Sequence, residues 1–289
     1  MDSAESRVLV YGGQSYYKLS EDLYEYSAVS GQWALLTPSG VGPAPLAGHS
    51  GAYDQATERW AVFGGQTYYG LTDELFVLDV AATHRDQPAI AGDSPDPRTG
   101  HAAAMDEATG TMYVFGGQTY YSLLGDLWAY GLDAQAWTEA YPSGSIPALA
   151  GAAAAYDPEF HALYIFGGQG YYSLSETVHC LDLDSLAWSE AALSGDSLPP
   201  MHLATAAWAE GISGFVVYGG QTYYGLLDTA YAVVPTRPCE AEATAVSVTG
   251  DTPPPLRGGA LVHDPATGEC RGALQNVSGS GFVATAAVA

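Results

Sequence analysis

Along most of the chain, apolar residues fall in short runs bounded by turn residues, a pattern that predicts brief β-strands rather than helices. The segment around residues 100–140 displays it best, with runs from Gly100 to Met105, Met112 to Phe115, Leu127 to Gly131, and Trp137 to Ala140. A polar turn, Asp106-Glu107-Ala108-Thr109-Gly110, joins the first two. Its counterparts are Asp54-Gln55-Ala56-Thr57 and Asp264-Pro265-Ala266-Thr267-Gly268, so each unit is predicted to be one antiparallel sheet of tight hairpins.

This four-strand unit is repeated. Val10-Tyr11-Gly12-Gly13-Gln14, Val62-Phe63-Gly64-Gly65-Gln66, Val114-Phe115-Gly116-Gly117-Gln118, Ile165-Phe166-Gly167-Gly168-Gln169 and Val217-Tyr218-Gly219-Gly220-Gln221 recur at steps of 52, 52, 51 and 52 residues. A period of that size marks one supersecondary unit copied along the chain.

The copies resemble the kelch-repeat family. The resemblance rests on a Gly-Gly pair ending the second strand, a Leu-aromatic third strand and a Trp opening the fourth. Leu23-Tyr24-Glu25-Tyr26, Leu75-Phe76-Val77-Leu78 and Leu127-Trp128-Ala129-Tyr130 fill the third-strand pattern, and Trp33, Trp137 and Trp188 the tryptophan position. Arg85 stands where the second copy should have Trp, and Ala152 and Ala204 replace the His seen at His49 and His101. The resemblance implies an all-β fold, a β-propeller of four-stranded antiparallel blades whose closure removes exposed sheet edges. It also implies that His49 and His101 are buried hydrogen-bonding residues.

The chain is expected to form a single propeller over residues 1–289. It opens on a second strand, Arg7 to Tyr11, and carries an unaccompanied first strand, Leu256 to His263, near its C-terminus. Pairing these two would complete five blades. The alternative is six, because Glu269 to Gln275 and Gly281 to Val288 read as decayed second and third strands, making 270–289 a degenerate repeat or a tail.

Antiparallel strands alternate direction, so the loops after the second and fourth strands of every blade emerge on one face. That face is expected to carry Gln14, Tyr16 and Tyr17; Gln66, Tyr68 and Tyr69; Gln118, Tyr120 and Tyr121; Gln169, Tyr171 and Tyr172; and Gln221, Tyr223 and Tyr224. The general kelch pattern does not require Gln-x-Tyr-Tyr there. In one reading the tyrosines pack between blades and the glutamines satisfy backbone groups of the next loop. In the other the aromatics form an amphipathic binding surface for peptides, sugars or cationic groups. The expectation carried forward is mixed, one Tyr of each pair packing and its neighbour facing a ligand. Carboxylates follow each loop, at Glu21 and Asp22, Asp73 and Glu74, Asp126, Glu176, and Asp228, and are expected to brace their own loops.

Charge narrows the partners. Against 32 Asp and Glu stand 8 Lys and Arg, a formal net charge of −24, with Lys18 the only lysine. Such a field repels phosphate backbones and anionic lipid headgroups, so neither nucleic acid nor a membrane is expected as partner. The N-terminus, Met1 to Ser6, has no basic segment leading into an apolar run, which reads as a soluble, cytoplasmic and monomeric protein. Cys180, Cys239 and Cys270 are widely spaced and are expected to be reduced and incidental.

Some kelch propellers are copper radical oxidases that need a Tyr-His pair, which is absent here, and others carry an iron-linked run of Glu, Asp and His that this chain lacks. No serine elbow, phosphate-cradling loop or paired zinc motif is present either. The expected function is a non-catalytic module binding a protein or peptide through the Gln-x-Tyr-Tyr face, without cofactor or metal. A propeller binding a glycan or small cationic ligand, and an enzyme with its site on the same face, are the alternatives.

Overall fold

The computed structural model describes residues 7–15, 18–27, 30–90, 92–246, 260–264, 269–275 and 281–287. The described chain is all β apart from one short 3-10 turn, and it packs as two compact units, 1–140 and 141–289.

In the first unit, β1 (Arg7–Tyr11), β2 (Leu23–Ser27) and β3 (Gln32–Leu36) form the first sheet. The second comprises β4 (Ser39–Gly40), β5 (Ser50–Asp54), β6 (Arg59–Phe63), β7 (Leu75–Asp79) and β8 (His84–Asp86). β9 (Ala102–Asp106), β10 (Thr111–Phe115), β11 (Leu127–Gly131) and β12 (Ala136–Ala140) form the third, in the order 12-11-10-9. The polar turn between β9 and β10 is closed by Asp106, whose carboxylate accepts the Ala108 N–H at 3.0 Å and the Thr109 hydroxyl at 2.6 Å. That local alternative to the ladder is why the strand pair reverses there.

In the second unit, β13 (Ala153–Asp157), β14 (Ala162–Phe166), β15 (His179–Asp182) and β16 (Ala187–Glu190) form the fourth sheet. The fifth contains β17 (Ala192–Gly195), β18 (Thr205–Ala209) and β19 (Gly214–Tyr218), completed by β22 (Ala230–Arg237) and β23 (Glu240–Val246). Between β19 and β22 lies the small hairpin β20 (Gln221–Thr222) and β21 (Gly225–Leu226). The C-terminal sheet is β24 (Ala260–Asp264), β25 (Glu269–Gln275) and β26 (Gly281–Ala287).

Five repeats therefore give five blade sheets, the fold class expected. First strands of successive blades lie side by side, β5 with β9 in the first unit and β13 with β18 in the second. The blades of each unit share apolar cores: Ala52, Ala61 and Phe63 pack with Met112, Val114 and Trp137, and Tyr164 and Phe166 with Phe215 and Val217.

Three expectations need correction. Among the described residues, β1 pairs with β2, and β24 pairs with β25 rather than with β1 as the five-blade closure expected, while the start of the expected strand, residues 256–259, lies outside the described residues. β24 lies beside β18 as a first strand should, but a partner just across a short connection costs far less loop entropy than one at the other end of the chain. Secondly, the connection leaving one blade adds a parallel strand to the next, β4 on β8 and β17 on β23, covering an outer edge. Thirdly, Cys180 and Cys239 are not reduced but joined in a disulfide that ties β15 to the β22–β23 turn. Their Cα atoms lie 5.4 Å apart despite a separation of 59 residues, a proximity that blade stacking creates and spacing conceals. The side chain of Cys270 lies outside the described residues.

Candidate functional site

Each second strand ends in two glycines with left-handed backbone, for instance Gly64 at φ 63° and Gly65 at φ 104°. A Cβ on Gly65 would sit 2.8 Å from the Ala47 carbonyl oxygen, so the pair is glycine both for its dihedrals and because the incoming connection crosses there. Gln66 then pairs with Ala47 through both backbone groups, at 2.7 and 3.1 Å. Equivalent bridges join Gln118 to Thr99, Gln169 to Ala150 and Gln221 to His202. Within each unit, then, the residue after the Gly-Gly pair bridges the connection that leads into a first strand.

Beyond the glutamine the chain makes a tight turn with the two tyrosines at its tip. Thr67 donates its N–H to the Gly70 carbonyl at 2.8 Å, and its hydroxyl accepts the Tyr69 N–H at 3.1 Å and donates to Gly70 at 3.0 Å. Thr119 and Thr222 repeat this, with the Tyr121 and Tyr224 N–H groups each 3.1 Å from the threonine oxygen. Ser15 closes on Lys18, and Gly170 closes on Ser173 through its backbone alone. The residue at x is thus a turn-closing hydroxyl in four of the five copies, a regularity visible in the sequence itself.

The two tyrosines of a pair do different work. The hydroxyl oxygen of Tyr68 accepts the Leu19 N–H of the preceding loop at 2.7 Å, that of Tyr120 accepts Leu71 at 3.0 Å, and that of Tyr223 accepts Leu174 at 2.5 Å. These first tyrosines are 61–65% exposed, as is Tyr171 at 64%. The second tyrosines, Tyr69, Tyr121, Tyr172 and Tyr224, are 96–101% exposed. Tyr16 and Tyr17 lie outside the described residues. Gln14, Gln66, Gln118 and Gln169 are exposed and Gln221 is half-buried, so the backbone of these residues, more than their amides, joins the loops.

Around the tips the carboxylates divide. Asp22 accepts the Ser20 hydroxyl at 2.7 Å, and Asp126 receives both guanidinium nitrogens of Arg98 at 2.7 Å plus the Trp128 indole N–H at 2.8 Å. These brace their loops as expected. Arg98 is fully buried and occupies the place of Leu46, Leu149 and Met201 in the other copies. Its charge and hydrogen bonds hold the Asp126 carboxyl below its ordinary range although burial pushes it up. Glu21, Asp73, Glu74, Glu176 and Asp228, by contrast, are exposed.

The histidines are structural in placement. His101 Nε2 lies 3.1 Å from the Phe63 carbonyl oxygen, and His49 hydrogen-bonds the Tyr11 backbone. Burial pushes the rings down to about 4 for His49 and about 3 for His101, the latter aided by the nearby Arg98 charge. Among the described residues no group of three or more His, Cys, Asp or Glu side chains is placed to hold a metal, and no helix is long and apolar enough to cross a membrane.

The family model described as the KLHDC2/KLHL20/DRC7 Kelch-repeats domain matches residues 1–220. The chain belongs to the kelch-repeat family. Kelch membership accounts for the Gly-Gly pair that ends each second strand and for the Trp positions. Among curated proteins it is 27% identical over 65% of its length to host cell factor of Drosophila melanogaster and 28% identical over 63% to host cell factor 1 of Homo sapiens. It is 29% identical over 92% of its length to acyl-CoA-binding domain-containing protein 4 of Arabidopsis thaliana. The matched stretches span 15%, 11% and 40% of those proteins.

Proposed function

We propose that this kelch chain is a protein-interaction module that binds a polypeptide through its Gln-x-Tyr-Tyr loop tips. The observation that carries this reading is the division of labour within three of the pairs, Tyr68 with Tyr69, Tyr120 with Tyr121 and Tyr223 with Tyr224. The first hydroxyl pins the turn to the neighbouring loop, and the second ring stands almost wholly in water on that pinned turn. The backbone that carries such a ring is held before any partner arrives, which lowers the cost of binding. Protruding tips suit a polypeptide surface better than a small ligand, which needs a concave site to cover it.

The disulfide removes one support for a cytoplasmic location, since such bonds persist mainly in oxidising compartments.

The test is a selection of random displayed peptides on the purified chain. Enriched peptides are then measured on a variant carrying Tyr69→Ser, Tyr121→Ser, Tyr172→Ser and Tyr224→Ser. Loss of about tenfold or more in affinity with an unchanged melting curve is expected, as for aromatic anchors elsewhere. Peptides that bind the variant equally well would place the interaction surface elsewhere.

A further inference from the structure

The second tyrosine position of four of the five tips has a constant companion. Four residues after it comes a carboxylate: Asp73 after Tyr69, Glu176 after Tyr172, Asp228 after Tyr224, and Glu21 after position 17. All four carboxylates are exposed. The third copy departs from the pattern, with Gly125 at that spacing and the following Asp126 committed to Arg98. Basic groups are scarce in these loops: Lys18 in the first, and Arg98, which is buried and already paired.

We infer that the tips bind an arginine-rich segment of a partner polypeptide, each guanidinium lying on an exposed tyrosine ring with the carboxylate four residues on as its counter-charge. The inference rests on the interaction proposed above and names the partner's chemistry. Aromatic faces attract cations through their quadrupole, and arginine, planar and weakly hydrated, stacks on them better than lysine. A net charge of −24 adds long-range attraction and speeds encounter. Because near-identical tips recur within each unit, a segment with several arginines engages neighbouring tips of one unit together, and modest single contacts multiply.

The probe is a fluorescent nonapeptide of Arg-Gly-Ser triplets, with lysine and glutamate versions for comparison, titrated against the full chain. Three variants are compared with the wild type. One is the four-tyrosine tip variant. The second combines Asp73→Asn, Glu74→Gln, Glu176→Gln and Asp228→Asn. The third removes the same number of exposed charges from turns at the opposite blade ends, by Glu107→Gln, Asp133→Asn, Glu159→Gln and Asp184→Asn. The arginine probe should bind, the lysine version more weakly and the glutamate version not at all. Tip and loop-carboxylate variants should each lose about tenfold, and the opposite-end variant no more than about twofold. Tyr121→Ser alone should cost less than Tyr69→Ser alone, since the third loop lacks the carboxylate partner.

Equal losses in the loop-carboxylate and opposite-end variants would reduce the binding to net charge and overturn the inference. Failure of the arginine probe to bind would do the same. If the displayed-peptide selection returns tip-dependent peptides that are neutral or acidic, the interaction module stands and only the cationic partner falls. If it returns no tip-dependent peptide, both fall.

Discussion

The second and third blades follow one plan in the same unit and differ at their outer ends. In the third, Trp137 opens a five-residue fourth strand and packs on Phe63 of the preceding blade, ring centroids 4.9 Å apart. In the second, Arg85 takes that place in a strand of three residues and, with Tyr11, Leu23 and Trp60, lines a small cavity of about 20 Å³. The parallel strand β4 covers the edge that β8 leaves. At the loop ends the same two blades are nearly interchangeable, with Tyr68 and Tyr120 anchored to the same position of the preceding loop. An outer edge can be satisfied by a tryptophan or by a borrowed strand. A loop that must meet its neighbour's backbone at one atom tolerates little drift.

The contrast can be broken most severely at Arg98, the point where the third blade departs from the leucine of the second. Arg98→Ala leaves Asp126 without its cation and should cost about 3–5 kcal/mol in urea unfolding. Arg98→Leu with Asp126→Asn supplies the leucine that the second blade has, removes the charge pair, keeps an acceptor for Trp128, and should recover most of that loss. A double variant as unstable as the single one would mean that the pair is not the source of the cost.

A smaller effect, shared by both blades, comes from the histidines. Unfolded, each ring takes up a proton below about pH 6.5. Folded, His49 and His101 stay neutral until about 4 and about 3. The unfolded state therefore binds more protons in this window, and stability should fall as pH drops from 7 to 5, by up to about 1.4 kcal/mol per pH unit for each ring. Unfolding curves across that range should flatten when both residues are replaced by Gln.

The smallest effect tests the loop end. Tyr120→Phe removes one hydrogen bond to a backbone N–H that water can reach, and should cost about 1 kcal/mol or less. Tyr121→Phe should be neutral by the same melting assay. A reversal of that order would exchange the roles assigned to the two tyrosines.

Much of this was readable in advance for a physical reason. Short apolar runs between turn residues locate strands well when every copy repeats them, and the third repeat's runs fall within two residues of β9 to β12. The sequence also pointed to Gln-x-Tyr-Tyr as unusual, but not to which tyrosine anchors and which is exposed, because that depends on where the neighbouring loop's Leu N–H lies. β4 and β17 escaped notice because Ser39-Gly40 and Ala192 to Gly195 are held by the strand beside them rather than by β-propensity of their own. Nothing in the sequence marks Arg98 as buried, because its counter-ion lies 28 residues later.

The Cys180–Cys239 bond turns the stretch between its ends, fifth tyrosine loop included, into a covalent ring. Tyr223 and Tyr224 are exposed at the tip of that loop, the kind of place where proteases cut first. A nick there opens the ring without dividing the molecule, so both cut ends stay tethered to blades that are still folded, and the loop can be severed without being lost.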